Sequence, residues 1–177
     1  MINEPNTSGS EKPKEVTAEE VIQKLKTLGA ENQEARELLG TWIDQLHAGE
    51  NERIKEKAAS QAAMEIANLR RATEAELGRP LDSSEETGLR DFELKRRGEI
   101  ETLISHKEAL LVDLKMADLY VKAGFGEAAR ELLSDSGKQC PGDPEDNEIG
   151  ARLMAREIGD KILVDAVEDL LNKIEIA

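Results

Sequence analysis

The amino-acid sequence predicts an all-α protein, and three observations carry that expectation. Apolar residues recur along the chain at steps of three and four, the spacing of one helical face. No segment alternates apolar and polar residues long enough to make a strand. Aromatic residues are only 2% of the chain, so the interior must be built from Leu, Ile, Val and Ala, which suits close helix–helix packing. The expected architecture is a set of antiparallel helical hairpins, packed as a bundle or a short right-handed superhelix, behind a disordered N-terminal tail. At 177 residues the chain suits one domain, long enough to bury roughly two-thirds of its unfolded surface.

Residues 1–16 hold Pro5, Pro13, Ser8, Gly9 and Ser10 among charges and few apolar groups. Such a segment cannot offset the entropy of ordering, and a disordered tail is expected. The ordered domain is expected over residues 17–177. Its parts are an N-terminal helix pair (17–49), a long helical hairpin (50–123) and C-terminal helices (124–177).

The first helix begins at Thr17, whose spacing to Glu20 makes a capping box. Val21, Ile22, Leu25 and Leu28 form its apolar side, and Gly29 stops it. A second helix is expected over about Asn32–His47, with Ala35, Leu38, Leu39, Trp42, Ile43 and Leu46 on its stripe. The third, about Glu52 to Leu77, is alanine-rich, and Gly78-Arg79-Pro80 ends it. Ser83 and Glu86 stand at capping-box spacing for the fourth. That helix carries Leu89, Phe92, Ile100, Leu103 and Ile104, and no proline interrupts it before Ala123, so it is read as continuous or mildly kinked. The short connection between the third and fourth helices predicts an antiparallel pair. Gly124-Phe125-Gly126 forms the next turn, followed by a short helix over Glu127–Ser134. After a loop at Cys140-Pro141-Gly142, Asp143 caps a final helix with Pro144 at its first position. Ile149, Leu153, Ile162, Ala166, Leu170 and Ile174 are expected on its core side.

The net charge of −14 restricts the partners. Residues 124–177 alone hold 6 basic and 13 acidic groups. This acidity argues against phosphate-backbone binding and against docking on an anionic membrane. No apolar run approaches the ~18 residues of a membrane helix, and no signal peptide is recognised at the start. A cytoplasmic protein is the expectation. The single cysteine, Cys140, lies in an acidic stretch that raises a thiol's pKa, so it is a poor nucleophile.

The window Leu110–Asp143 holds Ala117, Tyr120, Gly124, Ala129 and Pro141 at the intervals of a helix–turn–helix repeat, and it resembles a single tetratricopeptide repeat. The resemblance implies that Ala117 and Ala129 let two helices touch, that Tyr120 packs between them, that Gly124 permits the turn and that Pro141 ends the unit. The sequence departs from the family at Asp113, where a bulky residue is usual, and at Ser136, where a small residue is usual. No second copy follows, so the resemblance covers about a fifth of the chain.

A catalytic reading starts from Glu157 and Asp160, carboxylates three apart on the expected last helix and thus able to hold a metal jointly. Residues Glu157–Leu163 resemble the second metal-binding helix of the all-α nucleotide pyrophosphohydrolases. The earlier Glu-Glu-x-x-Glu helix of that family has no counterpart, because Glu19-Glu20 is followed by Gln23. His47 and His106 lack the paired Glu-x-x-His spacing of a bundle metal site. Over residues 70–97 seven basic groups meet seven acidic ones, which reads as a salt-bridged helix surface.

These observations favour a non-catalytic protein–protein interaction module: an adaptor, assembly factor or chaperone-like helical protein. No catalytic residue, cofactor or metal site is assigned. Trp42, Tyr120 and Phe125 are the partner-contact candidates, and the expected partner is another protein, with a basic one favoured by the acidity. Two alternatives remain: the metal-dependent nucleotide pyrophosphohydrolase using Glu157 and Asp160, and a coiled-coil-like homo-oligomer, for which a homodimer is the simplest form.

Overall fold

A computed structural model describes residues 15–136 and 149–176. The expected disorder of residues 1–14, the loop at Cys140–Pro141 and the cap at Asp143 with Pro144 lie outside those residues. Among the described residues the protein is all-α, with seven helices and no strand. They are α1 (Ala18–Leu28), α2 (Gln33–His47), α3 (Glu50–Leu77), α4 (Ser83–Ala123), α5 (Gly126–Asp135), α6 (Gly150–Ile158) and α7 (Lys161–Ile176).

Helix α4 is the spine. Its 41 residues extend about 60 Å at 1.5 Å per residue. Its C-terminal half is apolar on two opposite sides. Leu110, Leu114 and Ala117 pack with α5, α6 and α7 around Leu133, Met154, Leu163 and Val167. Leu119 and Ala123 pack with α1 and α2 around Val21, Leu25, Leu39 and Trp42. At about 100° per residue these two sets fall on nearly opposite faces, so two separate cores share one helix.

The N-terminal half of α4 pairs with α3, forming the expected antiparallel hairpin. Ala58, Ala62 and Ile100 make its small core, with Ile104 against them. The alanines permit close helix approach but bury little area. Ion pairs then fix the register: Lys57 Nζ to Glu108 at 3.2 Å and Arg96 Nε to Glu65 at 2.7 Å, with Arg70 and Glu86 paired nearer the tip.

Caps define most boundaries. Thr17 and Glu20 form the expected box at α1, and Asn32 accepts from the amides of Glu34 and Ala35 at α2. At α4 the box is formed by Asp82 with Glu85, one residue before the expected Ser83–Glu86 pair. Helix α4 ends in a Schellman motif: the Gly124 amide donates to the Val121 carbonyl and the Phe125 amide to the Tyr120 carbonyl. Gly124 has φ +90°, a conformation that glycine adopts without Cβ strain.

Three further expectations are corrected. Val16 is already anchored, its amide donating to Gln45 Oε1 at 3.2 Å, so order begins before residue 17. The last helix is two: Gly159, at φ +71°, ends α6, and Asp160 accepts from the Ile162 amide to open α7. That break turns Ile162 outward, 79% exposed, while Leu163 and Val167 take the core positions.

Candidate interaction surfaces

The structure brings the three aromatic contact candidates together, but as packing. Trp42 is buried in the core of α1, α2 and α4, and Tyr120 and Phe125 pack against that same core. The Trp42 indole thus holds α2 to the spine and leaves little surface for a partner. Tyr120 also touches the second core, beside α5–α7, and so bridges the two. Burial raises its phenol pKa.

Ala117 and Ala129 are both fully buried in the core shared by α4 and α5. Asp113, in the position where the repeat family has a bulky residue, is half-buried beside a cleft of about 260 Å³ lined by Ala109, Leu132, Ser136 and Met154. Burial raises its carboxyl pKa, with an opposing hydrogen bond from Ser136 and a smaller pull from His47.

The carboxylates behind the metal reading do not share a helical face. Gly159 separates Glu157, on α6, from Asp160, which precedes α7. Asp160 is held by Lys107 of α4, which lowers its pKa, with help from the amides ahead of it. Glu168 of α7 accepts from Nε and Nη2 of Arg152 on α6, the main cause of its lowered pKa. These pairs tie the C-terminal helices together. Among the described residues no three His, Cys, Asp or Glu side chains converge as a metal would need.

Two surfaces have the character of contact sites. One is an open groove of about 840 Å³ between α1 and α2, with Val16, Leu28 and Leu38 among its lining residues and Glu19, Glu34 and Glu37 at its sides. Lys24 pairs with Glu34 there. The other is the α3–α4 hairpin beyond its alanine core. Between Ile66 and Ile100 no side chain is buried. Of the eight large apolar side chains exposed among the described residues, six lie on the α3–α4 hairpin, four of them beyond the alanine core (Leu69, Leu77, Phe92 and Leu94) and two beside it (Met64 and Leu103). Scattered surface leucines are ordinary, but a concentration on one projecting element marks a contact surface.

The arm is masked in the sequence by its charges. Residues 67–99 hold seven basic and eight acidic groups, and several pair as expected, Arg79 with Glu85 at 2.9 Å among them. The available signal was polarity on the inner stripe: the partly buried positions of the arm include Thr73, Glu93 and Arg96, where Ala58, Ala62 and Ile100 stand nearer the base. No helix among the described residues is long and apolar enough to cross a membrane. Compared with known proteins, the chain matches no protein-family model, no curated protein and no solved structure.

Proposed function

We propose that this protein is a non-catalytic protein–protein interaction module, an adaptor, assembly factor or chaperone-like protein that presents the α3–α4 hairpin as its contact arm. The observation that carries the reading is the concentration of six of the eight exposed large apolar side chains on that hairpin. The packing of α1–α2 and α5–α7 on the two sides of α4 supplies the base. The repeat-like unit at α4–α5 serves that base, its two alanines letting the helices approach. A cytoplasmic setting accompanies the proposal.

A photo-reactive residue placed at Leu94, which is 69% exposed on the arm, tests it in cells that make the full chain. The expected result is a discrete protein adduct from position 94 and none from an exposed position on the base such as Glu157. Equal labelling from both positions removes the arm reading. The same preparation, melted with and without Mg²⁺ or Mn²⁺, is expected to show one midpoint, since a ligand specific to the native state raises it. A metal-dependent rise together with nucleotide hydrolysis would replace the module by an enzyme.

A further inference from the structure

We propose that the arm is occupied by the arm of a second copy of this chain, the two lying antiparallel about a two-fold axis. The inference rests on the interaction reading and names the partner. The first argument is burial. Past Ile66 and before Ile100 the hairpin has no buried side chain. Two helices alone cannot enclose a seam, whereas four helices can, and Leu69, Leu77 and Phe92 are 43%, 44% and 48% exposed. The ion pairs Glu65–Arg96 and Arg70–Glu86 bracket Leu69 and Phe92, placing both at one level midway along the exposed arm.

The second argument is charge. The chain carries −14, yet residues 67–99 carry seven basic and eight acidic groups, so nearly all the excess negative charge sits on the base and the termini. A strongly basic partner gains most at the acidic base and little at a near-neutral arm. A second copy brings an arm that is equally neutral and equally apolar, and the two meet without like-charge repulsion. The antiparallel arrangement follows from the same distribution. Side by side in parallel, two acidic bases would collide. Laid tip to base, they sit about 30 Å apart, several times the ~8 Å screening length at physiological salt.

The third argument is area. From Ser83 to Leu103 the arm is about 30 Å long at helical rise, and two helices side by side are about 20 Å wide. One face therefore offers roughly 600 Å² per copy, about 1,200 Å² in total, at the lower edge of what a specific interface buries. A two-fold contact is isologous: the patch around Leu69 and Phe92 meets its own counterpart near the axis.

Sedimentation velocity and light scattering of the full chain over a concentration series test this. The expected result is a concentration-dependent shift from 19.5 kDa to twice that mass, with X-ray scattering showing two bases held apart. Phe92→Glu and, separately, Leu69→Glu should each weaken dimerisation at least about tenfold. Ile162→Glu, on the exposed side of α7, should leave it unchanged. Helical content by circular dichroism should be the same in all four proteins, since every substituted side chain is substantially exposed. A wild-type monomer at the highest soluble concentration overturns the second copy. So does a dimer weakened by Ile162→Glu and untouched by the two arm substitutions. A monomer whose position 94 still cross-links to a different protein removes only the second copy and leaves the interaction module standing. A monomer without any adduct removes both.

Discussion

Asp113 illustrates how one side chain departs from its surroundings. It lies on α4 between Val112 and Leu114, both buried, and its carboxyl is pushed up chiefly by burial. A raised carboxyl pKa means that the folded protein holds this proton more tightly than the unfolded chain does. Stability from this group is therefore lost as pH rises from the unfolded value through the folded one, and at neutral pH the ionised group is a burden. Asp113→Asn removes the charge and keeps the size of the side chain. Its denaturation midpoint should exceed wild type at pH 7, and the difference should shrink towards pH 3. An equal difference at both pH values would show that the charge at this position is immaterial. The sequence marked Asp113 as the departure from the repeat pattern, but only the fold reveals that α5 and α6 close over it.

At the scale of elements, helix starts were largely legible because caps are local chemistry. Thr17 caps α1 and Gly124 makes the turn after α4 where the sequence placed them, while Asn32, read as the first residue of the second helix, is its cap. The cap of α4 was misread by one residue, since Asp82 and Ser83 both have a glutamate three residues on. Asp82 accepts from the amides of Ser84 and Glu85, while Glu85 reaches back to the Asp82 amide at 2.8 Å. Asp82→Ala should therefore cost about 1 kcal/mol. Ser83→Ala, inside the first turn, should stay within about 0.5 kcal/mol. Chemical denaturation of both variants decides the register, and a reversed order would restore Ser83 as the cap. The break at Gly159 was less legible. A lone glycine within a periodic pattern can be tolerated or can end a helix, and Lys107 on α4, which holds Asp160 at the break, is far away in sequence. The same limit hid the arm, for exposure depends on what packs opposite, and periodicity reports only that a face exists.

For the whole molecule, α4 joins two regions of different stability in one unbroken helix. Residues 107–123 are gripped on both sides, by α1–α2 and by α5–α7, through two cores and the Lys107–Asp160 bridge. Residues 83–99 pair with α3 without a buried side chain. Local opening follows buried apolar contact, so the helix should open from its N-terminal end while its C-terminal end stays closed. In hydrogen exchange at concentrations low enough to keep copies apart, amides of 87–99 should be at least about tenfold less protected than those of 110–121. That corresponds to a difference of ~1.4 kcal/mol in opening free energy. Both stretches belong to the same helix, but Gly88 and Gly98 cost about 1 kcal/mol each relative to alanine, so the comparison is repeated with both changed to alanine, where the gap should persist if missing packing is its cause. Uniform protection from residue 87 to residue 121 would mean that the arm is stabilised within a single copy and has no need of a partner. If protection is graded when dilute and becomes uniform as concentration rises, the second arm supplies what the first lacks.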